Sequence, residues 1–271
     1  MKSISQLYRY CNYLSLDVAC GAMICAAFFA RILHVQLRPY GLASLGLTVW
    51  IIYTTDHLLD VKRLNHEASS QRHRFHQINF RQLLIALLAA ALVDLLLVFF
   101  VRKPILNWGM SLSVVVLLYL LLQRSLVVFK ELIVSLLYAA GILLPALSLT
   151  MKLISASEII LIAIFMQTAF INLVLFSWYD LEQDLTDKHF SLVTYLGRSL
   201  VKNILIVLFS VQTVLLVGLI LISSYQIEAF ILVAMNLPLL ILLVFPENFS
   251  EDNQYRIIGD IVFMFPIIYF L

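Results

Sequence analysis

The sequence predicts an all-α polytopic membrane protein, and three observations carry that reading. Of 271 residues, 62% are hydrophobic and only 13% are charged, about half the charged fraction of an ordinary soluble domain. Apolar stretches of roughly 20 residues, the length needed to cross a bilayer as helix, recur from end to end. The polar residues between them gather into short connections, with no linker, low-complexity tract or repeat period. The whole chain, 1–271, therefore reads as a single membrane domain.

Nine segments are expected, at about 11–33, 40–58, 82–101, 106–123, 130–150, 156–178, 200–222, 226–245 and 255–271. The first follows a short N-terminus carrying Lys2 and Arg9. Its apolar run is too long for a signal-peptide core and lacks a small-residue cleavage site, so it is expected to be retained. Cys11, Cys20 and Cys25 all fall in it; an odd count on one hydrophobic helix is packing, not a disulfide framework. The second segment closes as LTVWIIYTTDHLLD and the sixth as AFINLVLFSWYDLEQD. Lys130 opens the fifth.

Loop charge sets the expected orientation. With the N-terminus inside, 13 of the 18 Lys and Arg residues lie on the N-terminal side, and the other five (Arg31, Arg38, Arg102, Lys103, Lys152) lie opposite. That bias makes the first side cytoplasmic. Both connections that follow the acidic segment ends then face the cytoplasm.

Those ends carry the chemistry. Asp56 and Asp60 form one pair at four-residue spacing, with Lys62 and Arg63 close behind; Asp180 and Asp184 form another, followed by Asp187 and Lys188. On a helix each pair shares one face, about 5–6 Å apart. Carboxylates held that close at the edge of lipid repel unless a cation lies between them. Mg²⁺ accepts a few carboxylates and completes its octahedron with water and phosphate oxygens. Paired acidic motifs with basic followers therefore suit a metal-bridged diphosphate. Asn172, two turns before Asp180, is a candidate cavity-lining residue. Phe176 and Trp178 read first as packing or interfacial aromatics. Asp17 and Asp94 fall inside segments; Asp94 reads as a helix–helix hydrogen-bonding residue and Asp17 as a candidate for the acceptor pocket. His66, His73 and His76, with Arg72 and Arg74, read as a surface that meets phosphates or lipid headgroups.

The segments YTTDHLLDVKR and WYDLEQDLTDKHFSLVTYLGR, with FKELIVSLLYAAGILLPAL and YRIIGDIVFMFP, resemble the UbiA-type superfamily of intramembrane prenyltransferases over nearly the whole chain. The resemblance implies a nine-helix bundle around a central cavity. It implies Mg²⁺ held by Asp56, Asp60, Asp180 and Asp184, the catalytic set. Lys130, Arg63, Lys188, Asn172, Tyr179 and Asp187 would contact substrate, with Asp187 the candidate base. The implied reaction transfers a prenyl group from an isoprenoid diphosphate to an aromatic or other lipophilic acceptor within the membrane. Lipid is the remaining partner, and no nucleic acid is expected. One position departs: the family's first motif begins with Asn four residues before its first Asp, and here that residue is Ile52. Thr55, Tyr53 or His57 would have to stand in for it, which marks a divergent branch.

Four alternatives differ in kind. A related terpene cyclase keeps the diphosphate machinery and lacks an acceptor. A non-catalytic lipid-binding member follows if Ile52 disables the site. A CDP-alcohol phosphotransferase would need a DGxxAR-type motif, which Asp56-His57-Leu58-Leu59 does not supply. A transporter would place its acids near the midplane in glycine- or proline-broken helices, whereas these lie at segment ends and the chain has eight glycines.

Overall fold

The computed structural model describes residues 2–64, 66–68, 70–122, 129–187, 190–250 and 253–271. Among them the chain is helical and contains no strand. Helix α1 (Lys2–Tyr13) is amphipathic and ends where the chain turns through Ser15, whose φ of 54° lies in the left-handed region. Helix α2 (Leu16–Ile32) then enters the bundle. The predicted first segment is thus two helices, because the run before Leu14 alternates polar and apolar residues and does not bury all round.

Helix α3 (Pro39–Arg63) opens with proline, whose missing N–H costs nothing in a first turn. A short α4 (Gln71–Ile78) caps the bundle before α5 (Phe80–Val98) and α6 (Lys103–Leu122). Helices α7 (Lys130–Leu149) and α8 (Ala156–Tyr179) follow; α8 is fastened at its start by a Ser155–Glu158 capping box, and Lys152 and Tyr225 also reach Glu158. Two short helices, α9 (Leu181–Asp187) and α10 (Leu192–Leu196), lead into α11 (Arg198–Ile222) and α12 (Gln226–Val244). The chain closes with α13 (Gln254–Ile261) and a 3₁₀ run, Val262–Phe270.

Seven helices, α3, α5, α6, α7, α8, α11 and α12, are long and apolar enough to cross a membrane. The protein is a multi-pass integral membrane protein. Of the other two expected segments, α2 has 17 residues and the last is an α-helix of 8 residues continued by the 3₁₀ run.

Helix α8 is the axis, with α7, α11, α12 and α13 packed around it, while α2 is held between α3, α7 and the 3₁₀ run. Inside the apolar bundle, Thr168 of α8 accepts hydrogen bonds from Gln212 of α11 (2.8 Å) and Asn236 of α12 (3.0 Å), pinning three helices in register. Helices α5 and α6 are lipid-facing: only Leu83 and Tyr119 among their side chains are buried. Gly259 brings α13 against α8 so closely that a Cβ there would lie 2.3 Å from Asn172 Oδ1 and 2.5 Å from the Phe176 ring.

Candidate active site

The polar end of the bundle assembles from four elements. Asp56 and Asp60 sit one turn apart near the end of α3, Asp60 buried and Asp56 half-buried. Lys130 opens α7 within electrostatic reach of both. Asp180 caps the C-terminus of α8, and the Asp184 N–H donates to the Asp180 carbonyl at 2.8 Å, so the four-residue spacing survives the junction with α9. Lys130 also acts on Asp184. One cation therefore stands in the field of both acidic pairs.

Asp180 is engaged from α13: the Tyr255 hydroxyl and the Arg256 guanidinium both donate to its carboxylate. Arg256 additionally lies 5.3 Å over the Phe176 ring and 5.8 Å over that of Tyr255. Tyr179 stacks on Tyr255 at 4.4 Å with planes 3° apart, and its hydroxyl donates to the Leu242 carbonyl at 2.7 Å. Arg256, Ser191 and Lys130 compensate Asp184 only in part. Burial first, and the neighbouring Asp180 carboxylate second, push its carboxyl up to about 7.

Below these groups lie two cavities. A long apolar one of about 570 Å³ runs between α3, α5, α6 and α7, from Tyr53 and Tyr119 at the polar end to Gly41 and Pro145 at the other. Twelve residues of α3 separate Gly41 from Tyr53, roughly 18 Å of helix. A smaller cavity of about 60 Å³ lies at the bundle centre between Tyr53, Arg72, Tyr138, Asn172, Phe176 and Asp260. Tyr53 and Tyr138 line both.

Several sequence expectations meet specific placements. Ile52 lines the long cavity, so it forms apolar wall where the family pattern has a polar group. Asn172 lines the small cavity, and its buried Oδ1 has no hydrogen-bond partner. Asp187 ends α9, and its carboxylate meets His66 at 3.1 Å. Asp94 accepts from Ser44 (2.6 Å) and Thr48 (2.8 Å), joining α5 to α3 as expected. Asp17 accepts from Asn12 at 2.6 Å, one residue removed from the cavity wall. The Arg63 side chain and Lys188 lie outside the described residues.

One reading changes. Arg72 and His76 do not form a headgroup surface: both are buried, because their four-residue spacing on α4 turns one face inward against α3. Arg72 donates to the Asn12 carbonyl (2.8 Å) and Ser15 Oγ (3.2 Å) and lies 4.0 Å from Asp260; Asn12 in turn donates to Asp260 at 2.7 Å. Burial pushes the His76 imidazole down to about 4. Phe176 packs in the core as expected, and it also lies under Arg256 and lines the small cavity. Sequence reasoning missed Tyr255, Arg256, Asp260 and Arg72. The one local signal was Arg256 and Asp260 at four-residue spacing in front of an apolar run.

A UbiA homologue from Archaeoglobus fulgidus, bound to GPP and Mg²⁺, superposes with a TM-score of 0.65 at 15% identity, over 96% of this chain and 98% of that one. The same homologue bound to DMAPP and Mg²⁺ gives 0.61, again at 15% identity over 96% and 98%. The chain has the UbiA fold. A third structure, of digeranylgeranylglyceryl phosphate synthase in membranes, gives 0.57 at 15% identity over 97% and 98%. No family model matches the sequence. No curated protein matches it either.

Within this UbiA fold the donor set suits a hard divalent cation. All four carboxylates offer oxygen, the ligand atom that Mg²⁺ takes. Among the described residues no three His, Cys, Asp or Glu side chains close on one point.

Proposed function

We propose that this chain is a UbiA-type, Mg²⁺-dependent prenyltransferase, one domain over 1–271, moving a prenyl group from an isoprenoid diphosphate to a lipophilic acceptor in the membrane. The observation that carries the reading is Lys130, in the field of both acidic pairs at the polar end of a long apolar cavity. That pairing of charge and grease suits a substrate with a diphosphate head and a hydrocarbon tail.

Asp56 and Asp60 from α3 and Asp180 and Asp184 from the α8–α9 junction would hold the metal. Bound Mg²⁺ supplies charge neutralisation at the diphosphate oxygens. Lys130, with Arg63 and Lys188, takes up the negative charge that grows as the C1–O bond lengthens, the largest electrostatic task in the reaction. The prenyl tail lies in the cavity bounded by α3, α5, α6 and α7, whose walls keep water from the cation-like carbon. Tyr179 braces Tyr255 against Asp180, and Asp187, held by His66, closes the α9 side as the candidate base. Asn172 faces the acceptor. The bias of Lys and Arg toward one set of loops supports a cytoplasmic N-terminus and site, with nine membrane segments when α2 and the closing α13–3₁₀ segment are included.

Calorimetric binding of farnesyl thiolodiphosphate to detergent-purified protein tests the proposal. Binding should require Mg²⁺ and vanish in Asp56→Asn and in Asp180→Asn. Binding indifferent to the metal and to both aspartates overturns it.

A further inference from the structure

The small central cavity is walled by groups that the diphosphate chemistry does not use. Asn172 Oδ1, Arg72 Nε and the Tyr138 hydroxyl all line it or belong to residues that do, all are buried, and none has a hydrogen-bond partner. Asn172 and Arg72 are 4% and 6% exposed. Buried polar atoms left unpaired each cost free energy, and three around one cavity mark a place for a ligand. The volume of about 60 Å³ holds roughly four to six water positions, the footprint of a single six-membered ring. Tyr53, Tyr138, Phe176 and Phe263 supply aromatic walls.

Position makes this pocket the partner of the diphosphate site. Phe176 lies one turn before Asp180, Tyr53 three residues before Asp56, and Asp260 four residues after Arg256. The pocket also shares the Tyr53 and Tyr138 rings with the long cavity.

Charge then selects the ligand. Arg72 already faces Asp260, and Asn12 ties Asp260 to Asp17 at 2.7 and 2.6 Å. Arg72 is thus matched by Asp260 with Asp17 behind it, and the neighbouring Arg256 by Asp180, so among the described residues no cation is left over there to attract a further negative charge in a water-poor interior. A hydroxyl suits the orphans on both counts: it donates to Asn172 Oδ1 and accepts from Arg72 Nε or the Tyr138 hydroxyl.

Resting on the prenyl-transfer reading, we infer that this pocket binds the acceptor through an uncharged hydroxyl, so that the acceptor is a phenol or alcohol with a head about one ring across, and not a carboxylate or phosphate. A terpene cyclase would have no use for such a pocket.

Protein loaded with Mg²⁺ and farnesyl thiolodiphosphate would be titrated with 4-hydroxybenzyl alcohol, 4-hydroxybenzoate and glycerol 1-phosphate. The neutral probe should bind at least tenfold tighter than either anion. Tyr138→Phe should weaken the neutral probe about tenfold while the unliganded melting temperature holds or rises, because it removes an unpaired buried hydroxyl. Asn172→Ala should weaken the same probe without loss of donor-analogue binding. Equal or tighter binding of an anion overturns the inference, as does neutral binding untouched by both variants or the absence of binding by any probe. Failure of the wild-type protein to bind the donor analogue would instead sink the prenyl-transfer reading.

Discussion

Arg256 holds Asp180 across 76 residues of sequence, with Tyr255 donating to the same carboxylate. A guanidinium there competes with any cation that Asp180 is to bind. Arg256→Gln should therefore raise the affinity for Mg²⁺ alone several-fold, while lowering affinity for a diphosphate analogue with Mg²⁺ present. It should also cost about 2–4 kcal/mol of stability, toward the lower part of the range for a buried pair broken on one side, since the Arg256 side chain is 21% exposed. Calorimetry with each ligand and thermal unfolding in detergent would read these separately.

Asp184 behaves differently because its burial beside Asp180 outweighs the help it receives from Arg256, Ser191 and Lys130. Asp184→Asn should leave the unliganded protein as stable as wild type, or slightly more so, and abolish Mg²⁺-dependent binding of the donor analogue. A melting temperature several degrees lower without ligand would contradict that account.

Lys130 links the two acidic pairs. Lys130→Met keeps most of the apolar stem of the side chain and removes its charge. Diphosphate-analogue affinity should fall about 10–100-fold, in line with about 1.4 kcal/mol per decade, and the helical circular-dichroism signal should not change.

Gly259 is a steric prediction. Alanine would push a Cβ into Asn172 Oδ1 and the Phe176 ring, at a cost of about 1–3 kcal/mol for overpacking. Gly218, with nothing within 4 Å of its would-be Cβ, is the control: Gly218→Ala in mid-helix should be neutral or stabilising by up to about 1 kcal/mol.

His76 predicts an acid limb to stability. The unfolded chain protonates this imidazole near its ordinary 6.5, the folded chain only near 4, because burial opposes the charge. Between those values the unfolded state binds more protons, so stability falls as pH drops from 6.5 toward 4 and is unaffected above 6.5. The full difference amounts to about 3 kcal/mol. His76→Phe, which keeps a ring against His57 (4.8 Å between centroids), should flatten that limb in pH-dependent unfolding.

Much of this was legible beforehand, and the limits have a common origin. For the seven long helices the apolar runs matched the observed bounds to within about five residues, because lipid demands continuous hydrophobic length. Asp56, Asp60, Asp180 and Asp184 stood out because carboxylates are rare in such a chain. Asp94 could be read as an interhelical bond for the same reason. The break at Ser15 was hidden, since one left-handed residue leaves little trace in composition. Arg72 and His76 were misread because polarity in a short loop helix says nothing of which side it turns inward; their burial depends on Asn12 and Asp260, 60 residues before and 188 residues after Arg72. Arg256 was counted only as loop charge, although its partner lay in the second acidic pair.

The two tyrosines common to both cavities carry one further consequence. Because the same rings bound the space for a hydrocarbon tail and the space for a small polar head, trimming Tyr53 or Tyr138 to admit a longer tail also reshapes the other compartment. Selectivity for one substrate is then inherited partly from selectivity for the other, and engineering this protein toward a new donor would have to re-screen acceptors at every step.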